Sequence, residues 1–323
     1  MNMPAQRGVP SLVTGPRAGR VRRPDSVARA ATRRGEAVAM VVLRAAALVS
    51  VVVTIGIVLA LLGPALAFFR EVGVGEFLTG TRWAPRFADA SFGVLPLVTG
   101  TAWTTAIALL IAIPFGLGAA AYLSEYAPSR VRAVLKPVLE LLAGVPSVVY
   151  GYFALYFIAP EVLRGLLGVE VGTFSVLAAG VALGIMIIPT VASLSEDAMS
   201  AVPQALRQGS FALGANRMRT TVRVVFPAAI SGIAASIVLG LSRAVGETMI
   251  VALAAGTQAR MVTGPTELGQ TMTGYIAQTA TGESTPGTLT FNSLYAVGLL
   301  LLVLTLIMNM ISIRLVRHFR EAY

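Results

Sequence analysis

The stretch Ala45–Phe69, AAALVSVVVTIGIVLALLGPALAFF, contains no charged residue. About 20 mostly apolar residues are enough for an α-helix to cross the hydrocarbon core of a bilayer, so this run is long enough to span. A secretory signal would carry an apolar run of only about 7–15 residues and a small-residue cleavage site, so the run reads as a retained helix. Working outward, runs of this kind recur, and six spans are expected near 42–68, 97–123, 139–160, 172–194, 230–257 and 291–313. Pro64, Pro114, Pro146 and Pro189 fall in or beside them. Membrane helices tolerate such prolines when neighbouring groups re-satisfy the freed carbonyls. A chain of 323 residues that is 56% hydrophobic and 12% charged exceeds what a soluble core of this length conceals. The fold class predicted is an all-α integral membrane protein with six transmembrane helices.

The basic residues order these spans. Arg7, Arg17, Arg20, Arg22, Arg23, Arg29, Arg33 and Arg34 crowd residues 1–37 among Pro, Gly and Ser, which reads as a disordered cytoplasmic tail ahead of a transmembrane domain over 38–323. Arg130, Arg132 and Lys136 lie between the second and third spans, Arg207, Arg217, Arg219 and Arg223 between the fourth and fifth, and Arg314, Arg317 and Arg320 after the sixth. The alternate segments hold only Arg70, Arg82, Arg86, Arg164 and Arg260. Basic residues concentrate on the cytoplasmic side, so both termini are expected there, in a multi-pass protein of a bacterial plasma membrane. The net charge of +10 is thereby a topological signal rather than a nucleic-acid footprint. Trp83, Phe87, Phe92, Tyr122 and Tyr126 suit an interfacial aromatic belt, and the Thr- and Gly-rich segment 256–290 reads as a flexible loop in preference to a gate.

Chemistry is limited by what is missing. There is no cysteine, and His318 is the one histidine, so no His/Cys metal cluster forms. The one lysine, Lys136, lies between Leu135 and Pro137, outside any phosphate-binding Gly-rich loop, so ATP and Mg would be used on a separate subunit and no cofactor is expected on this chain. No nucleophile elbow appears, and an enzyme acting on a lipid phosphate lacks a constellation. The reading is a transport permease, not an enzyme.

Arg243 and Glu247 interrupt a run otherwise uncharged from Val224 to Gln258. Each costs about 2.5–3.5 kcal/mol at a helix centre on insertion scales, so a use for them is expected. On a continuous helix the i, i+4 spacing would let them pair, and such a pair can serve only to lock packing. The functional reading is an anion path: Arg243 supplies a permanent charge and a fork of donors, while Glu247 accepts a hydrogen bond from phosphate, which carries a proton near neutral pH as sulfate does not. The 195–227 segment has amphipathic spacing at Ala205, Leu206, Phe211, Leu213, Met218 and Val222 and reads as a short cytoplasmic helix, either lying in headgroups or docking a motor.

Gln208-Gly209-Ser210-Phe211-Ala212-Leu213-Gly214, followed by Val224-Val225-Phe226-Pro227, resembles the EAA loop of bacterial ABC-importer permeases. Gln, Gly and Ser stand at its first three positions, so its acidic member is missing. Ala143-Gly144-Val145-Pro146-Ser147-Val148-Val149-Tyr150-Gly151, Arg243 to Thr248, Phe92 to Thr101 and Leu123 to Pro128 resemble the phosphate branch, the PstC type. The resemblance implies a MetI-like permease fold and a membrane channel for an ATP-driven phosphate importer. Its partners would be a PstA-like permease, two PstB-like ATPases and a PstS-like phosphate-binding protein. Arg243 and Glu247 would line translocation, Pro146, Ser147, Tyr150 and Gly151 would belong to the pore region, and Gln208, Gly209, Ser210, Gly214 and Pro227 would form the ATPase-coupling loop. Import of sulfate or molybdate, or a non-ABC anion channel, stands as the alternative.

Overall fold

The computed structural model describes residues 26–282 and 284–318. Residues 1–25, most of the segment read as a basic tail, lie outside the described residues; 26–37 already belong to the first helix. The chain divides after Ile57 into two units. Helix α1 (Ser26–Glu71) begins in the first, where the apolar side chains of Val41, Leu43, Leu48 and Val52 are exposed.

In the second unit, α2 (Val74–Thr79) leads to strands β1 (Trp83–Ala84) and β2 (Ser91–Phe92), a two-residue antiparallel pair in the register Trp83 with Phe92. Helix α3 (Leu95–Ala121) continues into a π-helical turn at Tyr122–Tyr126. Then come α4 (Ser129–Ala143), α5 (Ser147–Phe153) with its π-helical extension to Leu166, and α6 (Val176–Ser200). The short helices α7 (Gln204–Ala212), α8 (Arg217–Thr220) and α9 (Phe226–Ala228) precede α10 (Ile230–Gly246), α11 (Met249–Ala254), α12 (Met272–Thr281) and α13 (Leu289–His318).

Four helices are long and apolar enough to cross a membrane by themselves, and the number reaches six when two bent helix pairs each count as one span. The second bend, of 73°, falls at Ala229 just ahead of the expected fifth span; the first bend and a separate break after Gly246 correct the expectation of continuous third and fifth spans. The span expected at 139–160 is broken at Gly144–Pro146, where the axis turns by 88°. Pro146 cannot donate to the preceding turn and holds the residue before it away from helical geometry. The span expected at 230–257 stops at Gly246, and Glu247 is extended with φ −66° and ψ 132°.

Helix α6 is the hub. Ser175 caps its first turn by accepting from Ala178 N at 3.1 Å. Gly180 and Gly184 let α3 lie against it so closely that an added Cβ would meet Ile107 at 2.7 Å and the Ala108 carbonyl at 3.0 Å, the small-residue packing that joins helices in lipid. Trp83 and Phe92 are not belt residues. They are buried with Phe68, Phe77 and Tyr275 in an edge-to-face aromatic cluster, because the β1–β2 hairpin folds onto the end of the bundle, whereas Phe87, Tyr122 and Tyr126 remain exposed.

The segment 256–290 is likewise no simple loop. The Gln270 carbonyl lies where a side chain on Gly100 would stand, Met272 N donates to Thr101 Oγ1 at 3.0 Å, and Trp103 Nε1 donates to the Val262 carbonyl at 3.1 Å. Polar groups on α3 bind this returning backbone as non-helical chain at membrane depth requires.

Candidate functional site

Both helix breaks meet at one place on α6. Arg243, in the last turn of α10, donates through Nη1 to Thr190 Oγ1 at 3.1 Å and through Nη2 to the Ala143 carbonyl at 3.5 Å. That carbonyl is the last of α4, at the break before Pro146, and its helix end carries partial negative charge. Tyr150 secures the same break from the other side, donating to the Leu142 carbonyl at 3.0 Å. Gly151 lets α5 approach α11, since an added Cβ would meet Leu253 at 2.7 Å. Thus the break before Pro146, and Tyr150 with it, lie beside Arg243, whereas Gly151 packs on α11. Ser147 opens α5 next to them.

The ion pair expected between Arg243 and Glu247 is not formed: no ion pair among the described residues includes either one. The helix ends between them, so the i, i+4 geometry is lost. Glu247 instead folds over the start of α11, its Oε1 accepting from Met249 N at 3.0 Å and Ile250 N at 3.4 Å, which satisfies two backbone donors left open by the break. Thr273 Oγ1 of α12 donates to the Glu247 carbonyl at 2.6 Å. Arg243 and Glu247 are both half-buried. The guanidinium retains donor capacity beyond one hydroxyl and one carbonyl, and Glu247 Oε2 accepts no hydrogen bond among the described residues. At 1.5 Å per residue, Thr190 lies about 21 Å along α6 from Val176 and about 15 Å from Ser200, so this cluster is near mid-span.

The remaining expected residues sit beyond the far end of α6. Arg207 is buried and bridges Glu125 Oε1 at 2.9 Å, the Met199 carbonyl at 2.8 Å and the Val202 carbonyl, tying α7 to the end of α6. Ser210 Oγ and Thr220 Oγ1 are 2.9 Å apart, joining α7 to α8. Gly214 has φ +78°, a left-handed helix stop suited to glycine. Gln208, Gly209 and Pro227 are exposed, as are Phe211, Met218 and above all Leu213, at 90%.

Sequence reasoning missed a second charged cluster. Glu196, only 1% exposed, accepts from Arg132, from Lys136 Nζ at 2.8 Å and from Ser200 Oγ at 2.8 Å, and Lys136 also meets Asp197. Arg132 and Lys136 were counted as topological charge. Their i, i+4 spacing was the available signal, since it places two cations on one face of α4. Thr190 carried no signal of its own.

A bundle of long apolar helices with broken spans is the architecture of an integral membrane protein. The family profile described as binding-protein-dependent transport system inner membrane component matches residues 112–321, and the chain belongs to that family. It is 37% identical over 280 residues to the probable ABC transporter permease protein YqgH of Bacillus subtilis strain 168, covering 86% of this chain and 88% of the relative. It is 34% identical over 278 residues to the phosphate transport system permease protein PstC 1 of Mycobacterium tuberculosis, covering 75% and 82%.

Two solved structures share the fold. One is the inward-facing MetNI methionine ABC transporter, at TM-score 0.54 and 22% identity over 70% of this chain and 96% of that one. The other is a bacterial alginate ABC transporter in complex with its alginate pentasaccharide-bound periplasmic protein, at TM-score 0.62 and 15% identity over 89% and 98%. The protein is a multi-pass inner-membrane permease component of an ABC importer. Its family comprises membrane components without catalytic activity, and ATP is used by separate ATPase components.

Proposed function

We propose that this permease carries inorganic phosphate inward in an ATP-driven importer. It would pair with a PstA-like permease, two PstB-like ATPases on the cytoplasmic side and a PstS-like binding protein outside, with both termini cytoplasmic. One observation carries the reading: among the described residues Arg243 is held near mid-span by neutral acceptors alone, so its charge is oriented but not cancelled. A half-buried guanidinium of this kind favours an oxyanion while the Thr190 and Ala143 contacts keep it in place. Glu247 has one oxygen engaged by backbone and one open, which suits accepting a hydrogen bond from a protonated oxyanion. The PstC relatives support phosphate as that anion. The exposed apolar residues of α7 and the loop after it are the surface an ATPase subunit would cover, and Arg207 makes that surface move with α6.

The test is ATP-dependent uptake of radiolabelled phosphate into vesicles holding the reconstituted complex, wild type against Arg243→Gln, with sulfate and molybdate as competitors. Uptake that resists both competitors and is lost in an assembled mutant is expected. Competition by sulfate or molybdate equal to that by phosphate would reassign the substrate, and normal uptake by the mutant would leave Arg243 structural.

A further inference from the structure

The segment after α6 is fastened to the bundle through a charge. A short surface helix ordinarily buries an apolar stripe, yet the one residue of α7 that is buried is Arg207, with Leu206 only partly so. Its guanidinium donates through Nη1 to the Val202 carbonyl and through Nη2 to the Met199 carbonyl at 2.8 Å, both at the end of α6. Nη2 and Nε also donate to Glu125 Oε1, at 2.9 and 3.3 Å. The two side chains are 8% and 7% exposed, and Ser124 Oγ adds a bond to the same carboxylate oxygen at 3.0 Å.

Glu125 lies in the π-helical turn that ends α3. There Ala127 N donates to the Tyr122 carbonyl, five residues back, at 2.8 Å, a rare geometry that recurs at functional positions. Tyr126 of the same turn also meets the segment after α7: its hydroxyl donates to Met218 Sδ at 3.6 Å, and the Arg217 guanidinium stands 5.8 Å from its ring centroid. A second π-helical turn, Thr221–Val225, follows α8, and its Val225 is buried in one cluster with Ala120 of α3.

The other end of α3 is about 36 Å away, counting from Glu125 to Thr101 at 1.5 Å per residue. There it holds the 256–272 backbone. Thr99 Oγ1 accepts from Val262 N at 3.3 Å, Thr101 Oγ1 accepts from Met272 N at 3.0 Å, and the Gln270 carbonyl rests against Gly100. One helix thus connects the segment after α6 to the irregular chain at the opposite end of the bundle. A buried ion pair stabilises little more than apolar packing of the same volume, so what this one adds is direction. Apolar contact is non-directional and lets helices slide, whereas a guanidinium fork fixed by a carboxylate and two carbonyls has one geometry.

We propose that the Arg207–Glu125 pair is the joint through which movement of the coupling loop passes to α3, and through α3 to the 256–272 segment, which then parts from Gly100 and opens the far end of the path. Both are positioning residues and make no contact with the transported ion. The proposal rests on the reading of α7 and the loop after it as the surface an ATPase covers.

The chain has no cysteine, so Gln270→Cys places a single thiol at a position only 5% exposed. The test is its rate of modification by a membrane-impermeant maleimide in the assembled complex with cysteine-free partner subunits, nucleotide-free against vanadate-trapped with binding protein. Trapping is expected to speed modification about 10-fold, a shift on the scale that one charge-assisted hydrogen bond can bias. Adding Glu125→Gln or Arg207→Gln should abolish most of that gain while the ATPase stays bound and hydrolyses ATP at about the original rate, and the double variant should be no worse than either, as expected of residues acting as one unit. A gain that survives in both single variants, or that disappears only together with ATPase binding, overturns the proposal; the second result would make the pair an anchor for α7 and nothing more. Leu213→Asp, at the most exposed apolar residue of the loop, separates this inference from its parent. If it releases the ATPase while the pair variants keep the gain, this inference alone fails. If the ATPase stays bound to it, the reading of this surface fails and the proposal with it.

Discussion

Glu196 and Arg243 face the same problem, an ionised group inside a membrane protein, and the fold treats them oppositely. Glu196 is all but sealed and receives two cations and a hydroxyl from its own chain. Arg243 is half-buried and receives one hydroxyl and one carbonyl, with Glu247 turned away to the backbone of α11. A buried charge whose valences are filled internally locks elements together, here α4 to the end of α6. A charge that is oriented but left unneutralised needs something from outside the chain. The two lie within about 9 Å along α6, counting from Thr190 to Glu196 at 1.5 Å per residue, so depth alone does not explain the difference.

Substitutions at four positions would break or sharpen this contrast. Glu196→Ala leaves Arg132 and Lys136 facing a void and should cost about 3 kcal/mol, the lower range for breaking a buried pair, because both cations remain partly solvated. Thermal unfolding of the purified complex should show it, with Glu196→Gln losing less; an unchanged melting temperature for the alanine variant would end the view of this cluster as a lock. Arg243→Gln should leave that melting temperature unchanged yet lower phosphate uptake about 30-fold, equivalent to about 2 kcal/mol of lost charge-assisted bonding. Equal loss of stability at both sites would erase the distinction.

Thr190→Val keeps the volume and removes the acceptor that aims Nη1, so uptake should fall about 5-fold, near 1 kcal/mol, through a higher half-saturating concentration rather than through failed assembly. Glu247→Gln retains an oxygen for the α11 amides and should change total uptake least, about 2-fold, while narrowing the preference for phosphate over sulfate, read directly by competition. A preference that stays the same would remove Glu247 from selectivity.

Much of the fold was legible from the chain. Membrane residence and the places of the long helices follow from uncharged runs, because hydrocarbon excludes charge and an exposed backbone alike. The Arg243 region was legible for the same reason, a charge where charge is costly. The pairing of Arg243 with Glu247 was not, because i, i+4 spacing assumes an unbroken helix, and nothing local in Gly246-Glu247-Thr248 compels a stop. Trp83 and Phe92 looked interfacial because an aromatic beside a span suits a belt or a core equally well; the two-residue register of β1 with β2 decides for the core. The 256–290 segment looked mobile by composition, but Thr99, Thr101 and Trp103 on α3 supply its partners from far away in sequence.

The amino-acid sequence by itself determined that this protein lives in lipid, which runs are apolar enough to cross it and which arginine stands in an otherwise uncharged run. These are one-dimensional questions, answered by transfer free energies summed along the chain. Only the tertiary structure decided who partners each charge: that Glu196 is answered by Arg132 and Lys136 on another helix, and that Arg243 meets Thr190 and Ala143 instead of Glu247. Satisfaction of a polar group depends on distances of about 3 Å between residues tens of positions apart, and hydropathy carries no information on that scale.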